Sequence, residues 1–118
     1  MNPEPARTRG TAPTVNAETT RQIVRRILAA CKPDRVIFFG SAATGQATRD
    51  SDIDLLVVER QVADPREEAL RIRKALSGLP FPIDVVVMSR DRFEETKEVI
   101  GGIAWPAARY GTVIYEAA

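Results

Sequence analysis

Apolar positions in this chain switch repeatedly between helical spacing and short continuous runs, and the switches mark out its elements. From Asn16 to about Lys32, Ile23, Val24, Ile27, Leu28 and Cys31 form one stripe at helical spacing. Asn16 suits the N-cap, and Pro33 is expected to end the helix. Arg35–Phe39 and Asp52–Val58 are short runs rich in β-branched or aromatic residues, bounded by turn-formers, and read as buried strands. A short helix, Ser41 to Gln46, is expected between them. Asp64-Pro65-Arg66-Glu67 is a complete helix start: aspartate as N-cap, proline at the first position, glutamate at the third. Its buried stripe is Ala69, Ile72, Ala75, Leu76 and Leu79, with Glu67 facing Arg71 one turn on and Gly78 as the stop. Glu67, Glu68, Arg71, Arg73 and Lys74 fall to a solvated face.

The next run, Phe81–Met88, is a strand with Asp84 set among Ile83, Val85, Val86 and Val87; burying that acid is costly unless something pairs with it. A helix follows Ser89, with Phe93, Thr96, Lys97 and Ile100 along one side until Gly101-Gly102. Ile103–Tyr110 reads as a short helix with Pro106 in its first turn, and Gly111 releases a last strand, Thr112–Tyr115. The order α-β-α-β-α-β-α-α-β predicts α/β layer packing, without fixing which strands pair in parallel. Residues 1–15, proline-rich and almost devoid of large apolar side chains, read as a disordered tail ahead of one domain over 16–118.

Composition narrows the chemistry. A net charge of +1 gives no electrostatic reason to expect direct nucleic-acid binding. The single cysteine, Cys31, excludes an internal disulfide and fits a reducing cytoplasm; its place on the apolar stripe marks it as core rather than nucleophile. The absence of histidine excludes zinc sites of the usual kind, Ser-His-Asp triads and imidazole acid–base chemistry. Catalysis is left to carboxylates, hydroxyls, cations and a metal. No apolar run approaches a membrane span, so no membrane partner is expected.

Against that background Gly40 to Asp54 stands out. Side chains alternate along a strand, so Asp52 and Asp54 share a face roughly 7 Å apart. Their repulsion is on the order of 2–3 kcal/mol at an effective dielectric near 20. A divalent cation relieves it, and carboxylate oxygens are what Mg²⁺ prefers. Gly40 lets backbone approach a ligand closely, and Ser41 opens the short helix with free N–H groups and a hydroxyl, a site for phosphate.

Gly40-Ser41, ten residues, then Asp52-x-Asp54 resembles the signature of the DNA polymerase β-like nucleotidyltransferases. The run GSAATGQATRDSDIDLLV looks most like the small members, the minimal nucleotidyltransferases that act as antitoxins beside HEPN-domain toxins. The resemblance, over about residues 20–118, implies a small mixed sheet of about four strands flanked by helices. It also implies two Mg²⁺ ions held by Asp52, Asp54 and a third carboxylate from a later strand, for which Asp84 is the candidate and Asp50 or Glu59 the fallback. Gly40 and Ser41 would hold the triphosphate of ATP. Small members often carry arginine where this chain has Thr44 and proline where it has Arg49; Arg49 is then the cation expected beside the phosphates.

The reaction so implied is transfer of AMP from ATP to a hydroxyl, with a tyrosine of a HEPN toxin as acceptor. Two other readings remain at this point: a non-catalytic module that neutralises its partner by contact, and transfer to a small molecule such as an aminoglycoside.

Overall fold

The computed structural model describes residues 16–40, 53–80 and 82–118. The elements are α1 (Ala17–Ala30), β1 (Pro33–Phe39), β2 (Ile53–Glu59), α2 (Pro65–Ala75), β3 (Ile83–Ser89), α3 (Arg90–Thr96), α4 (Ala104–Tyr110) and β4 (Thr112–Glu116). They follow the expected order within a residue or two at most ends. The expected tail and the short helix from Ser41 lie outside the described residues.

The four strands form one mixed sheet in the order β3-β2-β1-β4. β1 runs antiparallel to both β2 and β4, while β2 and β3 are parallel, joined by the α2 crossover. Alternation then sorts the core into two layers. Ile53, Leu55 and Val57 of β2 pack with Ile23 and Ile27 of α1 and Ile72 and Leu76 of α2. Leu56 and Val58 face the other way, against Phe93 of α3 and Ala104 and Ala107 of α4. Strand β2 is thus covered on both sides, which is why its apolar run is continuous rather than alternating.

Several local expectations need correction. Helix α1 stops at Ala30, short of Lys32, because Cys31 is already fully extended (φ −157°, ψ −178°) and the residue before a proline is steered away from helix. Pro33 starts β1 rather than merely closing α1. The Arg26 guanidinium of α1 donates to the Ser77 (2.6 Å) and Ala75 carbonyls, at the end of α2. Helix α3 lasts seven residues, so Ile100 lies beyond it and is exposed.

Arg71 pairs with Glu68, at 2.9 Å, and not with Glu67. Glu68 leaves the solvated face and turns inward, where the Glu59 carboxyl meets it. Arg109 stands over Trp105 and Tyr110, whose rings meet edge-on at 5.8 Å. Trp105 is half-buried and Tyr110 exposed.

Gly111 is required by space. A Cβ there would stand 2.2 Å from the Ala107 carbonyl oxygen and 2.6 Å from Ile37 Cγ2, so only glycine lets α4 turn directly into β4.

Candidate active site

Parallel pairing sets Asp54 of β2 in register with Asp84 of β3. Register neighbours point to the same face, and adjacent strands lie about 4.8 Å apart, so the two carboxylates share one patch of the sheet. Asp54 is half-buried and Asp84 exposed. The expected cost of burying Asp84 does not arise, because β3 is an edge strand and the patch opens to solvent. Across the other side of β2, Asp54 pairs with Phe39, and the next residue, Gly40, closes the group.

Gly40 has φ +69°, a backbone region that favours glycine. A Cβ there would lie 2.5 Å from Asp54 Oδ2, so the bare Cα leaves room for that carboxylate. Three of the six expected site residues, Gly40, Asp54 and Asp84, therefore come together at one end of β2. Ser41, Arg49 and Asp52 lie outside the described residues, as do Thr44 and Asp50. Carboxylate oxygens beside an unobstructed glycine suit a hard divalent ion with bound phosphate, in donor type and in access. Glu59 is removed as a fallback ligand: it closes β2 at the opposite end, roughly 17 Å from Asp54 at strand rise, and belongs to the other face.

A second constellation went unforeseen. Glu59, Cys31 and Glu68 bring one oxygen or sulfur each to within 4.8 Å of one another, from the ends of β2 and α1 and from α2. The signal was present: Glu59 shares the alternation of Ile53, Leu55 and Val57, so it faces α1 and α2, where Cys31 lies on the apolar stripe. Burial, and next the Glu68 carboxylate, push Glu59 up to about 7. Burial, then Glu59, push the Cys31 thiol up to about 12, which makes it a poor nucleophile at neutral pH. Glu68 itself is held below the usual carboxylate range, first by its hydrogen bond with Glu59 and then by Arg71, against the opposing effect of burial.

Among known proteins, no curated sequence matches the chain. In fold it is similar to a toxin–antitoxin crystallised with AMP-PNP (TM-score 0.58, 20% identity, 83% of this chain and 73% of that one). It is also similar to a candidate nucleotidyltransferase from Sulfolobus solfataricus (TM-score 0.56, 17% identity, 82% and 78%). A mutant of the toxin–antitoxin MntA–HpeT resembles it to the same degree (TM-score 0.56, 17% identity, 87% and 75%). The family profile described as nucleotidyltransferase domain matches residues 18–103. With most of its length matched, and with the mixed sheet that the Gly40-Ser41…Asp52-x-Asp54 signature implies, the chain belongs to the nucleotidyltransferase domain family.

Proposed function

We propose that this nucleotidyltransferase moves AMP from ATP onto a tyrosine hydroxyl of a HEPN-type toxin and thereby acts as its antitoxin. The observation that carries the reading is the register of Asp54 with Asp84 beside the bare Cα of Gly40. Support for the kind of partner comes from fold similarity to toxin–antitoxin structures, one of them with a nucleotide analogue.

In this reading Asp52, Asp54 and Asp84 hold divalent metal, two Mg²⁺ ions, and Gly40, Ser41 and Arg49 hold the triphosphate. Bound metal would acidify the attacking hydroxyl and neutralise charge on the departing pyrophosphate. The tyrosine oxygen forms a bond to the α-phosphorus, the bond from that phosphorus to the bridging oxygen breaks, and pyrophosphate leaves. Asp84, open to solvent, takes the hydroxyl proton and passes it to water. Gly40 keeps the approach to Asp54 clear. Among the described residues no helix is long and apolar enough to cross a membrane.

The test is intact-mass measurement of the partner, co-expressed with this chain and incubated with ATP and Mg²⁺. A gain of one or more AMP units, lost with Asp84→Asn, is the expected result. Relief of toxicity at unchanged partner mass would replace transfer with neutralisation by contact.

A further inference from the structure

We propose that Cys31, Glu59 and Glu68 form a second metal site, separate from the candidate active site, that takes a zinc-class divalent ion. A cluster of acids with a cysteine is no site on its own; the independent observation here is Glu59. Only 9% of this residue is exposed, and its Oε2 is fully buried and accepts no hydrogen bond from the described residues. Where this buried carboxyl meets that of Glu68, the pair must share either a proton or a cation.

The donors suit the ion. Zinc accepts thiolate sulfur and carboxylate oxygen, at about 2.3 Å and about 2.0–2.2 Å, which places tetrahedral ligands roughly 3.3–3.6 Å from one another. The three donor atoms lie within 4.8 Å of one another, so the set closes on an ion by side-chain movement of about an ångström. Mg²⁺, which demands six oxygens, does not fit a site with sulfur.

Arg71 fixes the geometry instead of competing with it. One of its nitrogens donates to both oxygens of Glu68 at 2.9 Å, and another donates to the carbonyl of Ala30, the residue before Cys31. A carboxylate gripped by a guanidinium keeps lone pairs on its other side. Arg71 thereby ties the Glu68 arm to the Cys31 end of α1.

Access is also provided. A cleft of about 250 Å³ reaches Glu59 and Glu68 and is edged by Gln61, Asp64, Glu67 and Arg71. It carries more acids than cations, and it leaves a fourth ligand position for water or Gln61. On binding, the ion takes the place of the protons that Cys31 and Glu59 hold when it is absent, so uptake releases protons and tightens as pH rises.

The experiment uses the whole chain, stripped with chelator and titrated with Co²⁺ and then Zn²⁺. The expected result is one saturable equivalent with a thiolate-to-cobalt charge-transfer band, displaced by Zn²⁺ and untouched by Mg²⁺. The band should survive Asp54→Asn with Asp84→Asn, vanish in Cys31→Ser, and zinc affinity should fall by at least about 10-fold in Glu59→Gln. Glu59→Gln keeps shape and removes a buried acid, so it carries the test even if Cys31→Ser does not fold. Absence of the band in the unmodified chain overturns the proposal. So does zinc affinity unchanged in Glu59→Gln, or weak, non-saturating uptake that marks an adventitious ion only.

Discussion

At the scale of single residues, two carboxylates in this protein have opposite surroundings, and their behaviour should differ accordingly. Asp84 faces water beside Asp54, so Asp84→Asn has no burial cost to relieve. Its effect should fall on the chemical step: ATP affinity within a few-fold of wild type, transfer slower by at least about 10²-fold. Single-turnover transfer and calorimetric titration on the same variant check this, and a proportional loss of both would move Asp84 to nucleotide binding. Glu59 is the reverse case. Folded, it keeps its proton up to about 7; unfolded, it releases it near the ordinary 4.5. Between those values the folded state binds more protons, so stability falls as pH rises from about 5 to about 7. Glu68, with its lowered value, contributes stability that is lost only below the ordinary range, outside that window. With no histidine in the chain, no other side chain ordinarily titrates there. The metal-free melting temperature should therefore decline across the window in wild type and run flatter in Glu59→Gln. Equal slopes would place the Glu59 proton elsewhere.

Elements show what could and could not be read from the chain. Asp64 and Pro65 placed the start of α2 correctly, and the Asp64 side chain accepts from the Arg66 and Glu67 amides, because capping is a contact within one turn. Ser89 likewise accepts from Arg92 at the start of α3. The direction in which β3 joins β2 was not legible, since the apolar pattern along a strand looks the same whether its neighbour runs parallel or antiparallel. Which acid Arg71 would choose was equally hidden: Glu67 and Glu68 both lie within a turn, and the decision belongs to Glu59 on another element. The need for glycine at 111 is of the same kind, arising where α4 meets β1. Gly111→Ala would press a methyl onto backbone oxygens of Ala107 and Phe38 that cannot move aside. Overpacking of this kind costs about 1–3 kcal/mol, and a chain of this length should lose on the order of 10 °C in Tm. A melt within a degree or two of wild type would mean that α4 shifts to admit the methyl.

For the molecule as a whole, the mixed sheet separates two acidic centres by end and by face, with β2 as their common spine. Gly40→Ala forces a side chain into φ +69° and against Asp54 Oδ2, so transfer should drop by at least about 10²-fold with a loss of roughly 1–2 kcal/mol in stability. Beyond about 10 Å, perturbations without shared partners add. Stability changes of Gly40→Ala and Glu59→Gln, measured singly and together by denaturant unfolding, should sum to within about 0.5 kcal/mol. A larger discrepancy would reveal mechanical coupling along β2. The parallel pairing of β2 with β3 has one more outcome, which concerns timing. Asp84 arrives a whole helical crossover after Asp54, and their strands meet only once α2 has folded back across the sheet. A chain that has left the ribosome only as far as α2 already carries Gly40 and Asp54 but lacks half of the carboxylate pair. Products that end before β3 should therefore be unable to complete transfer, and under the proposed reading competence comes to the nascent protein only together with its long-range fold.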